Sequence, residues 1–411
     1  MLTDSPAETA NALPSYPMDR SSGCPFAPPA ELLSGGGGKP LRRVKIWNGN
    51  TPWLVTGYDE VRALFADSRV SVDDRWPGFP HWNEAMSAMV HTRERSVVTA
   101  DGEEHTKFRR MQSKHFTHRR IEALRPTIQA ITDDHIDAML AGSNPVDLIS
   151  ALALPVPSLV ISQLLGVPYD EAPRFQEHAN AGLDRYATAH SARDGAIGML
   201  KSLAHLVESK MNAPAEDALS DLAERVQAGD LTIRQAAQAA NGLLIAGHET
   251  TANMIGLGVL ALMEHPDQLA VLRDTDDPKV VANVMEELLR YLSIIHNGQR
   301  RVATEDISIA GEVIRQGEGI IIDLVPANWD AAVFEDPDRL EVQRSNAGQN
   351  VAFGYGRHSC VGQSLGRTEL QIVFRTLFRR IPTLRLATPI DHLEFKNDRL
   401  AYGVYELPVT W

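Results

Sequence analysis

The sequence predicts a mainly α fold with small β-sheets, and three observations carry that prediction. Apolar residues recur at helical spacing through most of the chain between Asp59 and Ile381. Segments with a strand pattern are short and lie near the start and in the last third. The 411 residues, 43% hydrophobic and 23% charged, give a globular composition and enough length for a sizeable core. With no regular repeat, a single domain over 1–411 is expected, residues 1–40 being partly flexible.

In chain order, Met1 to Leu33 lacks both the apolar run of a secretory signal and the arginines of a transit peptide, so a cytoplasmic protein is expected. Gly35 to Gly38 reads as a flexible surface stretch. Val44–Trp47 and Trp53–Thr56 flank Asn48-Gly49, a pair suited to a type I′ turn, and predict a hairpin. Helices are expected over Val61–Ala66, Glu104–His115, Ile121–Leu140, Ser191–Met211, Thr232–Met263, Asp267–Arg273, Val280–Leu292 and Gln363–Arg379. Leu148 to Tyr169 is uncharged and long enough to cross a bilayer, but Pro155, Pro157 and Pro168 break it and polar residues are scattered through it. It reads as buried core. Further strands are expected at Ile307–Ile309, Gly319–Asp323, Leu393–Lys396 and Ala401–Leu407.

Lys plus Arg number 40 and Asp plus Glu 53, and the net charge of -13 argues against a nucleic-acid partner. The two cysteines, Cys24 and Cys360, are far apart and form no Cys-x-x-Cys motif, so neither a disulfide framework nor a cysteine zinc site is expected.

Two segments carry chemistry. Between Arg234 and Glu264 the only formal charge is Glu249, so the helix is expected to be buried along its length. Its middle reads Ala246-Gly247-His248-Glu249-Thr250-Thr251, a carboxylate and hydroxyls where burial is costly without hydrogen bonds. These groups either bond to neighbouring backbone or serve a small ligand, and Gly247 with the threonines could open the helical ladder. His-Glu-x-x-His zinc chemistry is excluded by Ala252. The second segment, Phe353-Gly354-Tyr355-Gly356-Arg357-His358-Ser359-Cys360-Val361-Gly362, places a cysteine just before a helix whose first N–H groups favour a thiolate. Its glycines allow backbone to approach a flat object, and Ser359 excludes the Gly-x-Gly-x-x-Gly dinucleotide loop.

Phe-Gly-x-Gly-x-His-x-Cys-x-Gly at 353–362 resembles the haem-ligand loop of cytochrome P450, and 246–251 resembles that family's oxygen-binding helix. Glu287-Leu-Leu-Arg290 is similar to its Glu-x-x-Arg pair. The motifs fall in the family's order, and the resemblance runs from about Leu13 to Trp411. Ala153–Ser158 and Glu406–Trp411 resemble soluble actinomycete members that oxidise secosteroids, macrolides and drugs. The resemblance implies the cytochrome P450 fold, with haem b between the long central helix and the Cys loop.

It also implies residue roles. Cys360 would be the axial thiolate on the haem iron, a ligation known for this family, whose electron donation favours O–O cleavage. His105, Arg109, Arg301 and His358 would pair with the haem propionates, and Ala246, Gly247, Phe353 and Gly362 would lie against the macrocycle. His105 and Arg109 share one helix face, which is otherwise read as solvated and basic. Asp101-Gly102-Glu103-Glu104 stands where the family more often has Asp-Pro-Pro-Glu. Glu249 and Thr250 would be the catalytic acid and alcohol that deliver protons. Glu287, Arg290 and a downstream arginine, Arg344 or else Arg339, would form a structural ion cluster.

Candidate substrate contacts are Trp76, Phe79, Trp82, Met86 and Met89, an apolar stretch that is equally well core or a lid, with Leu243, Ile294, Ile295, His296 and Tyr402. His296 is also suited to capping a turn. The implied activity is monooxygenation of a small apolar organic substrate with O2, electrons coming from a ferredoxin and ferredoxin reductase. Lys107, Arg110, Lys114 and Arg357 would form the docking face. No membrane and no nucleic-acid partner are expected. The alternatives are a nitric oxide reductase taking hydride directly from NAD(P)H, against which Glu249 argues, and a haem-based ligand carrier or sensor, for which no output module is left over.

Overall fold

The computed structural model describes residues 13–21, 23–34, 39–168, 185 and 189–411, with side chains omitted for 34 and 189–196. The Gly35–Gly38 stretch and the first twelve residues lie outside the described residues. Of the segment expected to be partly flexible, Tyr16 is tied down: its N–H donates to the Lys45 carbonyl (2.8 Å) and its hydroxyl to Asp323 Oδ2 (2.8 Å).

Helices dominate. The longest is Ile233–Glu264, with Thr232 as N-cap and Gln235 completing a capping box, which explains a firm start without acidic residues in the first turn. It packs against Pro155–Leu165, Ala189–Asn212, Ala218–Gln227 and Gln363–Arg380. Being surrounded, it must be apolar on all faces: Met254 to Leu262 is buried without a break. The proline-rich segment forms a π-helical turn, Ile149–Ala153, followed by the helix Pro155–Leu165 with proline in its first turn, where a missing N–H costs nothing. No described helix is long and apolar enough to cross a membrane.

A five-stranded sheet sits beside the helices in the order Leu41–Arg43, Trp53–Val55, Gly319–Ile322, Gln299–Ala303, Val70–Ser71. Smaller sheets pair Ile307–Ile309 with Glu312–Ile314, and Val146–Asp147 with Pro408–Thr410 and Arg385–Leu386. The hairpin differs from expectation in its arm and its turn. Its first strand is Leu41–Arg43, and Gly49 at φ 85° follows a turn closed by Gly49 N–H to Ile46 O (2.9 Å), a three-residue loop with glycine in the left-handed position. The tail strands expected at Leu393–Lys396 and Ala401–Leu407 are reduced to single bridges, Phe395 to Val404 and Ile295 to Ala401, and the true strand is Pro408–Thr410. Two arginines hide the strand Gln299–Ala303 from a hydrophobicity pattern.

Candidate active site

The Cys loop is shaped by glycine. Gly354 and Gly356 both have φ 70°, and a Cβ on Gly356 would come within 2.7 Å of the Phe65 carbonyl oxygen, so only glycine fits there. The Cys360 N–H donates to the Phe353 carbonyl (2.9 Å), folding the loop back on itself before Gln363–Arg380 begins. Cys360 presents accessible surface, yet burial pushes its thiol up, while the Gly362 and Gln363 N–H groups, Arg109 and Arg367 pull it down. The sulfur is thus accessible at its tip while its surroundings are largely dry.

The central helix is likewise open along one side. Between Ala236 and Leu262 the exposed residues are Gly242 and Ala246, with Gly247 and Thr250 half-buried, four-residue steps that trace one stripe. The helix runs unbroken through Gly247, so the opening is made by small side chains and not by a gap in the ladder. The Thr250 hydroxyl donates to the Ala246 carbonyl (2.6 Å), which leaves its oxygen free to accept a hydrogen bond. Glu249, one residue earlier, points the other way. It is 5% exposed, its Oε2 has no hydrogen-bond partner, and burial raises its carboxyl above the ordinary range, opposed by Lys396, Arg399 and Asn253.

The four cations expected around the propionates include a close pair. The His105 and His358 rings stand 4.2 Å apart; the His105 Nε2 is buried without a hydrogen-bond partner, and the His358 Nε2 lies 3.4 Å from Asp101 Oδ1. Burial, then His358, Arg109 and Arg357, hold His105 down to about 4, with Asp101 opposing. The Arg109 Nη1 donates to the Ser359 carbonyl (2.6 Å), joining the helix Gly102–Ser113 to the Cys loop. Arg301 is buried over the Phe65 ring (5.4 Å), and burial lowers its guanidinium to about 10 against the pull of Asp101. Buried Arg301, half-buried Arg109, the orphaned ring nitrogen of His105 and an accessible thiol are a donor set that fits an iron porphyrin with two carboxylates. Gly102 has φ 58°, which proline cannot adopt, and the Asp101 carboxylate is held by Ser71 Oγ (2.6 Å) and Val72 N–H (3.2 Å). The departure from the usual loop sequence thus comes with its own anchor.

Sequence reasoning missed Arg367, whose guanidinium lies 4.6 Å over the Phe353 ring while its Nε donates to Glu286 Oε1 (2.5 Å). It missed Asp101 as well. A place four residues after Gln363 on one helix, close behind the Cys loop, is a signal that could have found Arg367. The third member of the ion cluster is Arg344: its Nε donates to Glu287 Oε1 and Oε2 at 3.1 and 3.2 Å. Arg339 contributes only its carbonyl, which accepts from Arg290 and Arg344, because its own side chain is turned out to solvent.

The substrate candidates divide. Phe79 and Trp82 are buried, and Gly78 is pressed against the Gly317 backbone, so the first part of this stretch is fastened to the sheet. Met86 and Met89, half-buried, sit on the short helix Glu84–Met89, which Asn83 caps and which packs against Ala189–Asn212. Trp76 is half-buried. Leu243 lines a crevice with Met111, His115, Asp221 and Leu222, between Gly102–Ser113 and Ala218–Gln227. His296 and Tyr402 are packing residues. The His296 Nε2 lies 2.8 Å from the Arg399 carbonyl and its ring 5.2 Å from that of Tyr402, and Tyr402 is 1% exposed beneath Arg20. No surface is left on Tyr402 for a ligand to touch. Ile294 and Ile295 are half-buried, fixed by Tyr402 N–H to Ile294 O (2.8 Å) and by the Ile295–Ala401 bridge.

Fold and site together define a haem-thiolate monooxygenase. The chain belongs to the cytochrome P450 family, whose model, Cytochrome P450, matches residues 44–383. It is 70% identical over 404 residues, 98% of each chain, to cytochrome P450 CYP105Q4 of Mycobacterium marinum. It is 52% identical over 407 residues to cytochrome P450 GfsF of Streptomyces halstedii, covering 99% of this chain and 97% of that one. The crystal structure of GfsF superposes with a TM-score of 0.90, covering 97% of this chain and all of the other. The cofactor of the family is haem b ligated through a thiolate, and its members are monooxygenases.

Proposed function

We propose that the open stripe of the central helix and the Cys loop would hold haem b, with Cys360 as its thiolate ligand, and that the protein inserts one oxygen atom from O2 into a bulky apolar organic molecule. The observation that supports this best is the Glu249-Thr250 pair, an alcohol on the open stripe of the central helix and, next to it, a buried acid. When bound, the thiolate-ligated haem supplies the redox chemistry that activates O2. The chain supplies position and protons. The Gly362 and Gln363 N–H groups hold the Cys360 sulfur, His105, Arg109, Arg301 and His358 would take the two carboxylates, and the small Ala246 and Gly247 would leave room over the ring. Thr250 Oγ, its own proton committed to Ala246, accepts a hydrogen bond from a protonated oxygen or a water, and Glu249 is the acid that replenishes that proton.

For the substrate class, the relatives support a bulky apolar ligand: one 40% identical over 404 residues is named vitamin D3 dihydroxylase, and another, 37% identical over 399, 20-oxo-5-O-mycaminosyltylactone 23-monooxygenase. A ferredoxin and its reductase fit as the electron source. Of the four basic residues expected to dock it, Lys114 is engaged with Asp221 (2.6 Å) and Lys107 with the Asp230 carbonyl (3.2 Å), which leaves Arg110 and Arg357, both exposed, to carry the contact.

Thr250→Ala tests the reading. It should keep haem, ligand binding and reduction, while most of the electrons appear as hydrogen peroxide instead of product. Unchanged coupling between electrons and product would overturn the assignment of Thr250.

A further inference from the structure

Glu249 is a buried acid with one orphaned oxygen, and a proton-delivering acid needs a connection to water. The central helix offers none: its next turn is Asn253, itself 2% exposed. The connection comes from the C-terminal loop. The Lys396 Nζ donates to Asn253 Oδ1 at 2.9 Å, across 143 residues of sequence. The loop is pinned there by Lys396 N–H to the Gly403 carbonyl (2.9 Å), and Gly403 must be glycine, since a Cβ would collide with Asn253 Oδ1. Beyond Lys396 the polar groups continue outward. Tyr405, whose ring lies 5.7 Å from Lys396 Nζ, donates its hydroxyl to Asp398 (2.7 Å) and accepts from Arg399 Nε (3.2 Å), and all three reach solvent.

We propose that Lys396, held by Asn253, is the positioning residue of the proton-delivering acid: it keeps Glu249 ionisable at depth, and the C-terminal loop is the route by which protons reach it. The inference rests on the monooxygenase reading above. The charged and titratable groups facing this corner are His248 on the central helix, Lys396, Asp398, Arg399 and Tyr405 on the loop, and Asp147 on the strand Val146–Asp147. Burial lowers the Lys396 ammonium, and Glu249 is the first of the charges that raise it again, with Asp398 and Asp147 adding to it and Arg399 opposing. The two groups therefore support each other's charged forms, and each is poorly solvated without the other.

The test uses the holoenzyme and a readout independent of turnover. Infrared difference spectra on photolysis of the carbon monoxide complex, recorded across pH with Glu249→Gln to assign the band, report the protonation of Glu249. In Lys396→Met the midpoint should rise by about one pH unit or more, as expected when a facing opposite charge is removed from a poorly solvated carboxylate. Lys396→Arg should restore it. An unchanged midpoint in Lys396→Met, in protein that keeps its Soret band and melting temperature, would overturn the proposal. Solvent isotope effects on turnover separate the two readings: a shifted midpoint with an unaltered isotope effect keeps Lys396 as the partner of Glu249 and removes Glu249 from proton delivery.

Discussion

Two buried carboxylates in this molecule are treated in opposite ways. Glu287 is fully buried and every oxygen is occupied: Arg290 Nε and Nη2 donate at 2.8 Å, Arg344 Nε at 3.1 and 3.2 Å, and the Glu341 N–H at 3.0 Å. The guanidiniums are satisfied in turn by carbonyls of Asn328, Pro337, Asp336 and Arg339. Glu249 has an orphaned oxygen, a half-satisfied neighbour in Asn253 and a single nearby lysine that bonds to something else. A closed network fixes a loop in one place and resists change; an open one leaves a proton free to move. The difference separates scaffold from working group among residues of the same chemistry and nearly the same burial.

The contrast can be broken most severely at the ligand itself. Cys360→Ser should abolish the long-wavelength Soret band of the carbon monoxide complex, whatever the state of either carboxylate, and survival of that band would show that the ligand is misassigned. Next in size is Glu287→Ala, which strands two guanidiniums; it should destabilise the fold by about 3–5 kcal/mol in denaturant melts and cost haem retention. Glu249→Gln in the same melts should lie near wild type or above it, because a neutral amide removes a poorly satisfied acid. Equal losses in the two variants would erase the distinction.

A smaller effect should follow pH. Burial, with Lys396 adding, holds His248 down to about 4, and burial, then Arg20, holds His296 down to about 3, the Arg399 carbonyl opposing. Both folded values lie below the unfolded one, so the unfolded chain binds more protons in this window and stability must be lost as pH falls. The loss should begin below about pH 6.5 and amount to on the order of 3 kcal/mol for each histidine by the time pH reaches 4. His296→Phe, which keeps the ring against Tyr402, should flatten the melting temperature between pH 6.5 and 4; an unchanged slope would show that His296 is charged in the folded protein. Glu249 runs the other way, its raised carboxyl favouring the fold at low pH and losing that contribution as pH rises through its folded value.

Much was legible from local pattern. The central helix was expected at Thr232–Met263 and occurs at Ile233–Glu264, because one cap and a long uncharged stretch define it without outside help. The Glu287 and Arg290 pair was readable because residues three apart on a helix must share a face. Local pattern failed where the partner is remote. The choice of Arg344 over Arg339 depends on which way a loop without regular structure turns its side chains, and the helix Ala218–Gln227 was overlooked although its apolar face is regular. His296 and Tyr402 looked like ligand contacts because polar and aromatic residues near a site are ambiguous until packing shows whether any surface remains.

The sequence by itself determined the class of chemistry through resemblance, since the Cys360 loop and the acid and alcohol in an uncharged helix are short motifs that can be matched to the cytochrome P450 family within a few residues. Tertiary structure alone decided what each buried charge faces. Lys396 reaches Asn253 across 143 residues only because the C-terminal loop folds back onto the central helix at a glycine small enough to let it in, and no periodicity along either segment encodes that approach.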